Sequence, residues 1–204
     1  MMLIVFGWFG VLGAWMVWHL FAQVKELRVF TDPAPMAIIP ESPTGAEMAV
    51  LEEEMKTFAA EVEAGRAARI EWDVKELNQL IATQDPVSRM KDMVQVMDIT
   101  DLIQLKVALA INGVPFTGER LYLNAGVGMR PEIQAETGLT FLTKEIEVPG
   151  REVSAGFKQK YMEANHVDGL LLDELRKNQR VKAILSKLTT ARCEPGKLIL
   201  EYLP

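Results

Sequence analysis

The segment DLIQLKVALAI, residues 101–111, alternates large apolar side chains with polar or small ones from Ile103 onward. A period of two is typical of a β-strand with one buried face. Asn112-Gly113 then opens a turn region, and ERLYLNAGVGM, residues 119–129, repeats the alternation. The two segments therefore predict antiparallel strands whose large apolar residues share one face: Ile103, Leu105, Val107, Leu109 and Ile111 on the first, and Leu121, Leu123, Ala125, Val127 and Met129 on the second.

Further strands are predicted on both sides of this pair. Residues 94–99 form one of them, and Pro131 is expected to break the chain before shorter strands at 133–137 and 139–142. Residues 189–193 and 198–203 flank a Pro195-Gly196 turn, which predicts a terminal hairpin or two adjacent strands. The sheet is expected to be an antiparallel meander with one buried face, because the alternation is too long and too regular for a parallel α/β sheet.

Helices are predicted before and after these strands. Residues 46–64 read as an amphipathic helix with Ser42 as its N-cap and Gly65 as its C-terminal cap. A short strand at 69–72 leads into a second helix, in which Asp73 and Glu76 have capping-box spacing. Helical periodicity returns from residue 153. The fold class is therefore α+β, with a twisted antiparallel sheet wrapped around helices.

The space between the helix at 73–82 and the sheet is the predicted ligand site. Inward-facing side chains either fill this space as an ordinary core or leave an apolar groove that holds a lipid or another apolar ligand. The sequence pattern is the same in both cases, and the filled core is favoured. The residues that would line the groove are Leu77, Leu80, Ile81, Leu105, Val107, Leu109, Leu121 and Leu123.

Residues 1–22, MMLIVFGWFGVLGAWMVWHLFA, contain no Lys, Arg, Asp or Glu. About 20 helical residues cross a hydrocarbon core of about 30 Å. A cleaved signal peptide would have a basic start, a shorter apolar stretch and a small-residue cleavage site, and none is clear here. The sequence therefore predicts an uncleaved single-pass anchor, and the membrane bilayer is a predicted partner. The predicted organisation is an anchor with its helical extension (1–30), a linker (31–45) and an α+β domain (46–204).

The linker, called here the proline segment (residues 31–45), contains Pro33, Pro35, Pro40 and Pro43. Each proline removes an amide donor and disfavours helix at the preceding residue. The segment is expected to be an extended spacer that either holds the domain off the membrane or lies along the domain surface.

Composition excludes several classes of function. Asp and Glu outnumber Lys and Arg by 28 to 22, and the pI is near 5.1, which argues against a nucleic-acid partner. The single Cys193 excludes an internal disulfide and a cysteine-rich metal cluster. No cofactor, metal site or catalytic residue is predicted. Gly126 and Gly128 lack a dinucleotide-binding context and are expected to permit curvature or a bulge.

Two groups of candidate catalytic side chains have simpler explanations. His166 and Cys193 are the only thiol–imidazole pair outside the anchor, and neither lies in a nucleophile motif. Glu119, Glu132 and Glu136 could act as a general acid and base, but solvent-facing strand positions explain them.

A combination of short motifs suggests a family. The anchor precedes a strand that ends in Trp72-Asp73 and runs into Glu76-Leu77-Asn78, and a closing strand follows Gly196-Lys197-Leu198. Over about residues 68–203 this arrangement resembles the anchored bacterial domains related to the tubular lipid-binding (TULIP-like) superfamily. The resemblance implies a domain outside the cytoplasm that holds a lipid.

These observations predict a membrane-tethered, non-catalytic binding or structural domain of the bacterial cell envelope, with a lipid or an envelope protein as its partner. The alternative is a cell-envelope hydrolase that uses scattered carboxylates. Lys25 and Arg28 follow the anchor directly and favour a cytoplasmic domain. Two charges are a small bias, so the predicted location is the inner membrane with the domain outside the cytoplasm.

Overall fold

Helices and antiparallel strands alternate along the chain in the computed structural model, which describes residues 28–85, 87–111, 120–135, 138–163 and 178–204. The helices described are α1 (Gly45–Glu63), α2 (Val74–Thr83), α3 (Ala155–Glu163) and α4 (Gln179–Lys187), with a 3₁₀ turn at Val87–Met90. The strands are β1 (Ala68–Asp73), β2 (Val94–Ile99), β3 (Ile103–Ile111), β4 (Leu121–Gln134), β5 (Gly138–Glu147), β6 (Thr190–Glu194) and β7 (Lys197–Tyr202). The predicted α+β class with antiparallel pairing is confirmed.

A four-stranded sheet contains the two alternating segments, in the order β2-β3-β4-β5. Leu105 lies opposite Val127, and Leu109 lies opposite Leu123, so the predicted apolar faces of β3 and β4 coincide. Strand pairs in register place side chains on the same side of the sheet. The predicted irregularity at Gly126–Gly128 is also present, because the β4–β5 register shifts between Gly128 and Met129.

The prediction that Pro131 breaks the chain is wrong. Pro131 lies within β4, which continues to Gln134, and it pairs with Phe141 of β5. The β3–β4 pairing ends where Ile103 meets Met129, so Pro131 lies beyond β3 and has a strand on only one side. A proline is tolerated at such an edge, where its missing amide removes no ladder hydrogen bond.

A second, three-stranded sheet has the order β1-β7-β6. The terminal hairpin of β6 and β7 is confirmed, with Glu194 opposite Lys197. The sequence analysis did not predict that β1 pairs with β7, where Ile70 lies opposite Leu200 and Trp72 opposite Leu198. There is thus more than one sheet, and α2 connects them: it follows β1 directly and packs near β2.

The helix ends follow their capping residues. Asp73 and Glu76 form the predicted capping box of α2. The N-cap of α1 is Thr44 rather than Ser42, because Thr44 forms its own capping box with Glu47. Gly65 follows α1 with a φ of 71°, as predicted for a C-terminal glycine.

Both sheets contribute to one hydrophobic core. Its buried members include Phe30, Ile70, Val96, Leu105, Val107, Leu123, Val127, Ile146, Phe157, Leu188, Leu198 and Leu200. Within the described ranges, no helix is long and apolar enough to cross a membrane. The predicted anchor at 1–22, the turn region at 112–119 and the leucines at 170–175 lie outside those ranges.

Candidate functional site

The chain joins the domain core at Phe30. Residues 28–30 are helical, and the Phe30 side chain is 1% exposed. Its ring centroid lies 4.5 Å from that of Phe157, with the planes tilted by 60°. Tilted aromatic pairs at this distance are favourable beyond their buried area. The residue assigned from sequence to the end of the anchor extension is therefore also a core residue of the domain.

Asp32 and Arg151 fix the chain immediately after Phe30. The Asp32 amide donates to the Tyr122 carbonyl at 2.9 Å, and the Tyr122 amide donates back to the Asp32 carbonyl at 2.8 Å. Arg151 donates to the Thr31 carbonyl at 2.7 Å and to the Asp32 carboxylate at 2.6 Å. Asp32 thus pairs with Tyr122 at the start of β4, before Gly126, where the pairing of β4 with β5 begins.

Asn124 holds the next residues of the proline segment on the outer face of the four-stranded sheet. Its Nδ2 donates to the Asp32 carboxylate at 2.8 Å and to the Ala34 carbonyl at 3.0 Å. Its Oδ1 accepts from the Met36 amide at 2.9 Å. Hydrogen bonding by Asn124, together with Arg151, lowers the pKa of Asp32. One carboxamide therefore contacts three residues of the segment.

The proline segment crosses the sheet from β4 to β2. Lys106 of β3 donates from its Nζ to the Ala37 carbonyl at 3.1 Å, and Ile39 and Pro40 lie beside Gln95 of β2. Ala108, which the alternation places on this outer face, is only 2% exposed. Of the two roles considered for the segment, lying along the domain surface is the one observed.

A small pocket lies where the proline segment, α2 and β2 meet. Its empty volume is about 170 Å³, and its lining combines apolar and polar residues. That volume includes open solvent, so the enclosed space is smaller still, whereas pockets for drug-sized ligands are about 300–1,000 Å³. The lining residues are Ile39, Pro40, Glu41, Asn78, Ile81, Ala82, Lys91, Val94 and Gln95.

The predicted groove residues are mostly core residues. Leu105, Val107 and Leu123 are buried in the shared core, and Leu77, Ile81 and Leu109 are half-buried against it. Leu121 is buried and Leu80 is half-buried. Of this set, Ile81 lines the pocket.

Cys193 is placed among apolar residues rather than beside a base. It lies opposite Leu198 and is packed against the core. Burial raises the pKa of the thiol to about 11, with a smaller contribution from Asp101. The nucleophile is the thiolate, so this environment disfavours reactivity. His166, the other member of the thiol–imidazole pair considered from sequence, lies outside the described residues.

The candidate carboxylates are not brought together. Glu132 lies 3.5 Å from Lys144 in an ion pair across β4 and β5, whereas Glu119 and Glu136 lie outside the described residues. No group of three or more His, Cys, Asp or Glu that could hold a metal ion occurs in the part of the chain that the structure describes.

Opposite charges alternate across the three-stranded sheet. Arg69 of β1 and Arg192 of β6 both bond to Glu201 of β7. Lys197 of β7 bonds to Glu71 of β1 at 2.6 Å. The opposite charges on this surface therefore balance. The arrangement could not be predicted from the sequence, because it depends on the pairing of β1 with β7.

Asn124, Asp32 and Arg151 were not predicted from the sequence as functional residues. No local pattern marks them, because their partners lie about 90 to 120 positions away along the chain. The available signal was Asn124 itself, a polar residue on the outer face of a predicted strand, in a chain whose proline segment was expected to be extended.

No protein-family model, curated protein or solved structure matches this chain.

Proposed function

We propose that this protein is a membrane-tethered, non-catalytic binding or structural domain of the bacterial cell envelope. The observation that supports this best is the fixed connection at Phe30, Asp32 and Arg151. A chain that needed only to attach a domain could use a flexible linker, whereas here Phe30 is part of the core and Arg151 bonds to Thr31 and Asp32 just after it. The domain would be held at the bilayer in a defined orientation.

Membrane attachment is tested by fractionation of cells that express the full chain. Residues 1–22 should keep the protein in the membrane pellet through alkaline carbonate, and detergent should release it. The matched control is Gly10→Asp with Gly13→Asp, since a charge at the centre of a span costs about 2.5–3.5 kcal/mol. Release of the unaltered protein by carbonate would contradict the tether.

The side of the membrane is tested with reporters fused after Pro204, which is exposed. We propose that the domain lies outside the cytoplasm, so an alkaline phosphatase fusion should be active, because that enzyme needs the disulfides that form there. A matched fluorescent cytoplasmic reporter should stay dark. The reverse pattern would place the domain in the cytoplasm.

The TULIP-like resemblance implies a lipid as the ligand, held between α2 and the four-stranded sheet. The 170 Å³ pocket beside Ile81 supports only a small occupant unless α2 moves away from β2. Native mass spectrometry of the protein purified from membranes tests this idea. A bound mass of lipid size that survives detergent exchange would support it, and the bare polypeptide mass alone would remove the lipid from the proposal.

The alternative of a hydrolase has less support. Glu132 is held in an ion pair with Lys144, and burial raises the pKa of the Cys193 thiol. Pairing and packing therefore explain both side chains. A hydrolase would require a general acid and base that converge on one cleft.

A further inference from the structure

We infer that the end of the domain around Phe30 and Arg151 rests on the lipid headgroups, with the opposite end of the four-stranded sheet pointing away from the membrane. This inference rests on the proposed tether and adds the surface that would contact the bilayer. Two observations carry it: the length of the connecting chain and the direction of the strands.

The connecting chain is short. Seven residues, 23–29, separate the last residue of the apolar stretch from Phe30. They span about 10 Å as a helix and about 25 Å when fully extended. The headgroup layer on one side of a bilayer is about 5–8 Å thick. Phe30 therefore lies within a short distance of the headgroups. Because Phe30 is buried in the core, the domain surface around it also lies close to the headgroups.

The strands define a near and a far end. Strand β5 runs from Gly138 to Glu147, and Arg151, which binds Asp32, follows its last residue closely. Ten strand residues cover roughly 30 Å. Gly138 therefore marks the far end, where a Cβ would lie 2.7 Å from the Leu185 carbonyl and 3.1 Å from Cα of Ser186. Helix α4 is thus at the far end.

The experiment compares two nitroxide labels on the full chain in lipid nanodiscs that contain a nickel-chelating lipid. Ala155→Cys places a label at the exposed start of α3, two residues before Phe157. Ser186→Cys places one at the far end with little change of volume. Both are made with Cys193→Ala. We expect nickel in the headgroup layer to relax the label at 155 several-fold more than the label at 186.

The control lengthens the connection with a ten-residue Gly-Ser insertion after Lys25, which should lower the relaxation at 155. Equal relaxation at the two positions, stronger relaxation at 186, or no effect of the insertion would overturn the inference. Failure of the tether looks different: the protein would then be missing from the nanodisc fraction.

Discussion

The side chain of Asn78 pairs with the backbone of Val96 as a neighbouring strand would. Its Nδ2 donates to the Val96 carbonyl at 2.8 Å, and its Oδ1 accepts from the Val96 amide at 2.8 Å. Val96 belongs to β2, the edge strand of the four-stranded sheet. An unpaired edge can join another chain, so a residue that occupies it protects the protein from association. Helix α2 is fixed to the sheet by the same two bonds.

Replacing Asn78 should be costly, and replacing its neighbour should not. Asn78→Leu leaves a buried amide and a buried carbonyl of Val96 unpaired, at about 1–3 kcal/mol each. Gln79 is 3% exposed, and its Nε2 has no hydrogen-bond partner in the described part of the chain. Gln79→Met keeps the length and removes the unpaired donor, so stability should stay equal or rise. Urea unfolding measures both, and equal losses would contradict the assigned role of Asn78.

Asn124→Ala should release the proline segment from the sheet. The change removes three hydrogen bonds, each worth about 0.5–1.5 kcal/mol net. Hydrogen exchange at the Met36 amide should accelerate, because that amide loses its acceptor. Gln104→Ala is the control on the same outer face, where Gln104 has a long contact of 3.5 Å to Glu145. Unchanged exchange at Met36 in Asn124→Ala would contradict the role assigned to Asn124.

Two glycines with the same backbone conformation should respond differently to alanine. Gly138 and Gly150 have φ values of 71° and 70°. The left-handed conformation costs an L-residue about 1–2 kcal/mol at either site. At Gly138 the new Cβ would also lie 2.7 Å from the Leu185 carbonyl, whereas at Gly150 nothing lies within 4 Å. Thermal unfolding should show Gly138→Ala to be worse by about 1–3 kcal/mol, the cost of overpacking. Equal losses would mean that α4 moves aside freely.

Acid should weaken the start of α1. The hydrogen bond from Lys75, followed by those from Thr44, lowers the pKa of Glu47 from 4.5 to about 2. A pKa that is lower in the folded state contributes stability above the unfolded value and loses it as pH falls through the folded value. The Glu47 contribution should therefore disappear between about pH 4.5 and pH 2.

The measurement for Glu47 is the melting temperature as a function of pH. Glu47→Gln should lower it at neutral pH and make its decline below pH 4.5 shallower than in the unaltered protein. The control is Glu53→Gln, at an exposed position of the same helix. If both variants followed the unaltered curve, the Lys75–Glu47 pair would contribute nothing measurable to folding.

Strand alternation and the capping box of α2 were predictable because their causes are local. Leu109 and Leu123 share a face as a direct result of the period of two, and Asp73 caps α2 through a residue three positions away. Pro131 was misread because a proline's effect on a strand depends on whether a neighbour lies beside it. That neighbour is missing only where the pairing of β3 ends.

The sequence by itself determined the α+β class, the antiparallel pairing of β3 with β4 and the capping box of α2. Each follows from residues that are close along the chain. The tertiary structure alone decided that β1 pairs with β7, that Asn78 occupies the edge of β2 and that Asn124 and Arg151 hold the proline segment. These contacts join residues from 18 to more than 120 positions apart, and apart from the Asp32 carboxylate their polar partners are backbone groups, which every residue carries and no sequence pattern distinguishes.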